Sequence, residues 1–109
     1  MIKSFTEKYA FLSSFYPANI FFEGDFYRTS EHAYQAMKTT SLWERKNIRQ
    51  ADTPGKAKRL GKKVTLRPDW EEIKEETMLQ IVRAKFSQNP HLRALLLKTG
   101  DEGIIEGNH

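Results

Sequence analysis

Thr29-Ser30-Glu31-His32-Ala33-Tyr34-Gln35-Ala36-Met37-Lys38 decides how the rest of this chain is read. It opens with two helix-capping residues. Immediately before it stand Asn19-Ile20-Phe21-Phe22-Glu23, Gly24-Asp25 and Phe26-Tyr27-Arg28, strand-forming aromatics split by a Gly-containing turn. The chain is therefore expected to pass from a β-hairpin, with Gly24-Asp25 at its turn, into a helix over residues 30–40 capped by Thr29 or Ser30. Within that helix Glu31, Gln35 and Lys38 fall at i, i+4 and i+7, which stacks a carboxylate, an amide and an ammonium on one face beside Tyr34. Such a stripe can hold a polar small molecule. The same spacing also describes an ordinary wet helix face.

Upstream, Phe11-Leu12-Ser13-Ser14-Phe15-Tyr16-Pro17 is apolar but broken by serines and closed by proline, and reads as an extended, largely buried loop. Downstream the signals are helical. Residues 42–50 form a second helix. Thr53-Pro54 is a cap followed by proline at the first helical position and starts a basic helix to about residue 63. Pro68 opens the longest helix, 69–88, with an apolar stripe of Trp70, Ile73, Ile81 and Val82. Asn89-Pro90 repeats the cap-plus-proline signal before a last helix carrying Leu92, Leu95 and Leu96 and ending at Gly100, a natural left-handed C-cap. Gly103-Ile104-Ile105-Glu106-Gly107 reads as the start of a strand or loop. The class is mainly α, multihelical, with a small N-terminal β-hairpin.

One domain is expected over 1–109, long enough to bury a modest core. With 39% hydrophobic and 12% aromatic residues the chain is globular and not a disordered tail. The lack of cysteine excludes a disulfide framework and a thiolate zinc site. Met1-Ile2-Lys3-Ser4-Phe5-Thr6-Glu7-Lys8 has no apolar signal-peptide core, and no apolar run is long enough to cross a bilayer. A cytoplasmic protein without a membrane partner is expected.

The net charge of +4 suits anionic ligands. Its distribution is uneven: Lys56, Lys58, Arg59, Lys62, Lys63 and Arg67 are followed by Asp69, Glu71, Glu72, Glu75 and Glu76. Those acids complement the dipole of the next helix and are expected to neutralise much of the basic segment. Gly55 to Lys63 is not a P-loop, because five residues separate Gly55 from Gly61 and no Ser or Thr follows Lys62. Glu31-His32 lacks a second histidine at helical spacing, so no metal is expected.

In order, Phe11 to Pro17, Ser30 to Lys38, Thr53-Pro54-Gly55-Lys56-Ala57-Lys58-Arg59-Leu60-Gly61, Leu66-Arg67-Pro68-Asp69-Trp70, Arg83-Ala84-Lys85-Phe86-Ser87-Gln88-Asn89-Pro90 and Leu95-Leu96-Leu97-Lys98-Thr99-Gly100 resemble the YbiA-like domains of the NADAR superfamily. The resemblance spans nearly the whole chain. It implies a mainly helical fold and an N-glycosidase acting on phosphoribosylamino intermediates of riboflavin synthesis, or removing ADP-ribose from guanine bases. The implied catalytic residues are Glu31, Trp70 and Lys38, with no cofactor. Two departures stand out. The family usually reads Ser-Asn-Phe where this chain has Ser13-Ser14-Phe15. It also continues past a Glu-x-Asn segment to an aspartate and a Trp-Gly, whereas this chain ends at Glu106-Gly107-Asn108-His109, so a C-terminally shortened domain is expected.

Residue by residue, each functional role competes with a plain one. Glu31 in a first helical turn is by default a dipole-complementing acid; in the functional reading it stabilises positive charge at the anomeric carbon or activates water. Lys38 either snorkels to solvent or, desolvated, attacks a ribose aldehyde or binds phosphate. Trp70 is a core anchor, a stacking platform for a base, or both. Lys85, amid an apolar stripe, either reaches solvent or lines a cavity near a ligand phosphate. Phe15, Tyr34, Gln35 and Lys85 are the expected substrate-binding residues. His32 is assigned a core or supporting role.

Three functions follow: hydrolysis of an N-ribosyl bond in a phosphoribosyl or ADP-ribosyl small molecule or on a modified DNA or RNA base; a catalytically impaired domain that binds ADP-ribose or nucleotide; and a basic nucleic-acid-binding domain using residues 56–67, whose affinity would depend steeply on salt.

Overall fold

The computed structural model describes residues 7–99. A 3₁₀-helix, Glu7–Leu12, leads through turns to strands β1 (Ile20–Phe22) and β2 (Asp25–Tyr27). Helices α1 (Ser30–Ala36), α2 (Leu42–Arg49), α3 (Pro54–Gly61), α4 (Trp70–Gln88) and α5 (Pro90–Lys98) follow. Mainly helical with one antiparallel hairpin, this is the expected class. None of these helices is long and apolar enough to cross a membrane.

Threonine and serine set the helix starts. Thr29 accepts from the His32 N–H, Ser41 from the Glu44 N–H and Thr53 from the Lys56 N–H, each satisfying a donor that the first turn leaves free. Asn89 does not act this way. Its side-chain amide donates to the Asn19 carbonyl and to the Lys85 carbonyl, tying the α4–α5 corner to the start of the hairpin. The C-cap expected at Gly100 and the strand or loop expected at 103–107 lie outside the described residues.

Three other expectations change. The helix expected over residues 30–40 stops at Ala36, so Lys38 lies in the turn that follows. The hairpin turn is Glu23-Gly24, one residue earlier than expected, with φ of 47° and 90°. Both turn residues must take positive φ in a tight connection whose twist matches the strands, and the glycine relieves only one of them. Residues 11–17 are helical and turned where an extended loop was expected, and only Phe11 among them is fully buried.

The hairpin pairs Ile20 with Tyr27, and both are buried; Phe21 and Phe26 pair on the outer face, their rings 4.8 Å apart. Gln88 completes the free edge of β1, donating to the Phe21 carbonyl and accepting from the Phe21 N–H. A lone edge strand thereby gains a side-chain partner from α4.

The main core gathers Ile20, Tyr27, Ala33, Ala36, Met37, Ile48, Ala57, Trp70 and Ile81 around α1. A smaller one forms where Phe11, Ala18 and Leu92 meet Phe86 and Tyr16. On α4 the inward stripe is Trp70, Thr77, Ile81 and Lys85; Val82 points outward, contrary to expectation, because it sits one residue round from Ile81. α1 touches α2, α3, α4 and both strands, so it is the central element of the described residues.

Candidate active site

Every described residue of α1 except Tyr34 is buried, and four of the buried ones are polar: Ser30, Glu31, His32 and Gln35. Buried polar groups need partners, and here those partners define two faces. On one face His32 is held between Thr29 Oγ1, 2.7 Å from Nδ1, and the Ala51 carbonyl, 3.0 Å from Nε2. A carbonyl only accepts, so Nε2 carries the proton and Nδ1 accepts from the Thr29 hydroxyl. Burial lowers the His32 pKa, the Ala51 carbonyl opposing, and the ring is a neutral brace between the hairpin exit and the α2–α3 corner.

The other face carries Glu31. Its carboxylate accepts from Ser14 Oγ at 3.0 Å and from Gln35 Nε2 at 2.6 Å, and is 8% exposed. The Glu31 N–H and the Ser30 hydroxyl both donate to the Ser14 carbonyl, so the loop before the hairpin is docked on the first turn of α1. That loop is held from behind as well. Lys85, 2% exposed, donates from Nζ to the Ser13 carbonyl at 3.0 Å, with the Phe86 and Tyr16 rings 5.3 and 6.0 Å away. Without a carboxylate beside it, burial pushes its pKa down to about 8.

Two neighbouring helices flank the line from Glu31 to Lys38. On the Gln35 side stands α3: a side chain added at Gly61 would run into the Gln35 amide and lie 3.1 Å from its Cβ. Gly61 permits that close approach, and Gln35 Oε1 has no hydrogen-bond partner there. On the Tyr34 side stands α4, whose Trp70 ring is tilted 59° against the Tyr34 ring at 5.1 Å. Tyr34 also lines an open cleft of about 370 Å³ with Lys74, Glu75 and Met78. Burial raises the Tyr34 pKa, Lys74 opposing and Glu31 adding to the rise. Lys38, half-buried at the end of the line, has its pKa lowered by burial, against the pull of Glu31 and with the push of Lys62 and Lys58.

The structure thus joins Glu31 to Gln35 on α1, puts Lys38 in the turn after it within reach of the Glu31 charge, and joins Trp70 to this face through Tyr34. Trp70 is itself 4% exposed and mostly core. Phe15 is exposed on the docked loop, and Lys85 lies beneath that loop. Ser14 and Gly61 were not singled out from the sequence. The signal for Ser14 was its place in Ser13-Ser14-Phe15, where the resemblance sets an asparagine; for Gly61 it was a glycine inside a helical pattern. The basic segment is less neutralised than expected. Arg67 pairs with Asp69 at 2.7 Å, but Glu71 pairs with Lys74 of its own helix. Lys56, Lys58, Arg59, Lys62 and Lys63 are exposed and make no ion pair among the described residues.

Comparison with known proteins decides the family. The NADAR domain model matches residues 2–109. The chain belongs to the NADAR family. The N-glycosidase YbiA of Escherichia coli is 38% identical over 105 residues, covering 94% of this NADAR chain and 66% of its own length. An N-glycosidase of Nostoc punctiforme is 36% identical, covering 94% of the chain and 69% of that relative. The NMR structure of E. coli YbiA superposes with a TM-score of 0.79 at 38% identity, covering 92% of this chain and 61% of that one. The NADAR chain therefore spans about two thirds of the length of YbiA. Relatives also include a riboflavin biosynthesis protein of Vibrio vulnificus, 38% identical, of which the chain covers 29%.

Proposed function

We propose that this NADAR domain binds a phosphoribosyl or ADP-ribosyl ligand along the Glu31/Lys38 line and hydrolyses its N-ribosyl bond. One observation carries the reading: a carboxylate buried at the first turn of a central helix, fixed by Ser14 and Gln35, with a desolvated lysine in the turn that ends the helix. The names of the relatives, N-glycosidase and riboflavin biosynthesis protein, support the same chemistry.

In the reaction the bond between the anomeric carbon and the base nitrogen breaks, and its electron pair leaves with the nitrogen, which takes a proton. Water oxygen bonds to the anomeric carbon and gives up a proton in turn. Positive charge builds at that carbon, and Glu31, already oriented by two donors, faces it and receives the water proton. A preorganised group of this kind costs no reorganisation at the moment of reaction. Positioned acid–base catalysis contributes roughly 10²–10⁴ in rate. Lys38 neutralises ligand phosphate at the far end of the line. Tyr34 offers its ring to the base, with Trp70 as the residue that sets its tilt. Lys85 positions the loop whose Ser14 orients Glu31.

A second reading keeps the ligand and drops the cleavage. Among the described residues no second carboxylate hydrogen-bonds to the Glu31 cluster, and glycosidic bonds are commonly broken by carboxylate pairs. Chromatography of base release from a phosphoribosylamino-pyrimidine and from ADP-ribosylated guanine separates the two, alongside calorimetry with ADP-ribose. Release from either substrate is the expected result. ADP-ribose binding without release supports the second reading, and neither binding nor release overturns both.

A further inference from the structure

The cations of α3 are not equivalent, and the packing of that helix sorts them. Ala57 and Gly61 are buried, Gly61 against Gln35 of α1. Leu60 lies on the edge that meets α2, where it lines a cleft with Trp43, Asn47 and Ile48. At 100° per residue, Lys58 and Lys62 share the opposite edge of the buried stripe, one turn apart, facing away from α2 and toward Lys38. Lys56 and Arg59 lie further round, on the solvent side, and Lys63, past the end of α3, lines the α2 cleft with Leu60.

Three of the acids that could quench this edge are engaged elsewhere. Asp69 is taken by Arg67, Glu71 by Lys74, and Glu44 by Thr39 and Thr65. Glu31 is the carboxylate whose charge Lys38 feels, against the repulsion of Lys58 and Lys62. Lys58 and Lys62 both bear on Lys38, whose nearest acid is held by Ser14 and Gln35, and with it they form a concentration of positive charge awaiting an anion. Lys38 stands seven residues from Glu31, in the turn that follows the end of α1 at Ala36.

We propose that Lys58 and Lys62 join Lys38 as a three-lysine seat for the phosphate of the ribose whose anomeric carbon faces Glu31, so that the site discriminates phosphorylated from unphosphorylated ribosides. The inference rests on the ligand reading above and adds its specificity determinant. A single phosphate ester and the diphosphate of ADP-ribose present the same chemistry to the three ammoniums.

Calorimetry with ribose 5-phosphate, ADP-ribose and unphosphorylated ribose tests it on the wild-type chain, Lys58→Gln, Lys62→Gln, the double variant and Lys56→Gln. Each of Lys58→Gln and Lys62→Gln should weaken ribose 5-phosphate about tenfold, the size of one charge-assisted hydrogen bond. The double variant should lose most of the preference over ribose, while Lys56→Gln behaves as wild type. Stronger weakening with ADP-ribose than with ribose 5-phosphate would identify the diphosphate as the seated group; the reverse would identify the monoester. In turnover the loss should fall on KM with kcat kept. Because Lys58 and Lys62 are exposed, thermal unfolding should be unchanged in all variants. The seat is overturned if the double variant binds ribose 5-phosphate as wild type does, or if Lys56→Gln weakens it equally. Base release from a phosphoribosylamino-pyrimidine that continues at an unchanged KM in the double variant would overturn the seat and leave the hydrolase reading standing. Failure of the wild-type chain to bind either phosphorylated ligand or release base would remove both.

Discussion

Helices α1 and α3 are nearly equal in length, each is capped by a threonine, and they pack against one another, yet they treat polar side chains in opposite ways. α1 turns Ser30, Glu31, His32 and Gln35 inward and finds a hydrogen-bond partner for each. α3 turns Ala57 and Gly61 inward and leaves its cations in water. The α3 arrangement is the ordinary amphipathic one, in which charge is solvated and costs little. Burying polar groups instead demands partners, and among these four side chains of α1 only Gln35 Oε1 lacks one. A fold that does so at its central helix, with a carboxylate among the buried groups, is preserving a geometry. Chemistry at that carboxylate is our explanation.

The largest test of the contrast concerns lysine. Lys85 is buried and Lys63 exposed. Between the folded pKa of about 8 and the ordinary 10.5, the unfolded chain still binds the Lys85 proton that the folded chain has released. Stability contributed by Lys85 therefore rises with pH across that window, by on the order of 3 kcal/mol. Urea unfolding of wild type and Lys85→Met from pH 7 to 10 should show that rise only in wild type. Parallel curves would contradict the buried charge. Above pH 10 the buried Tyr27 phenol opposes folding in both proteins, because burial raises its pKa, so the difference between them is the quantity to follow.

Next are the caps. Thr29 is buried and its hydroxyl serves both the His32 N–H and His32 Nδ1, whereas Thr53 is exposed and serves only the Lys56 N–H. Thr29→Ala should cost about 2–3 kcal/mol, a lost cap plus an unpaired ring nitrogen. Thr53→Ala should cost about 1 kcal/mol. Equal losses in urea unfolding would mean that burial of the α1 start adds nothing. The smallest effect belongs to Lys56→Ala, on the exposed face of α3, expected within about 0.5 kcal/mol of wild type by the same measurement. A larger loss would show that α3's outer face holds more than solvent.

Much of this was legible in the sequence because it is local. The capping threonines, the prolines at first helical positions and the i, i+4 pair of Glu31 and Gln35 all depend on near neighbours, whereas the helix stops short of Lys38. The hairpin turn slipped by one residue because Gly24-Asp25 matches one kind of two-residue turn and Glu23-Gly24 another, and both satisfy the flanking aromatics. Asn89 looked like a cap, but its partner Asn19 is 70 residues away. For Lys85 the helical register gave the inward direction; it could not give the Ser13 carbonyl 72 residues distant that makes burial tolerable. The docking of Ser14 on Glu31 and of Gly61 on Gln35 is likewise tertiary, and these contacts distinguish a fixed carboxylate from a wet helix face.

The most direct test of that fixed carboxylate is Glu31→Gln, which keeps the size and can keep accepting from Ser14 while removing the charge. Base release from a phosphoribosylamino-pyrimidine and from ADP-ribosylated guanine should be followed with calorimetry of ADP-ribose and urea unfolding on the same samples. The account predicts release lowered by roughly 10²–10⁴, with ligand affinity and stability close to wild type. Release by Glu31→Gln at the wild-type rate would contradict it, and would make the buried polar face of α1 a structural feature alone.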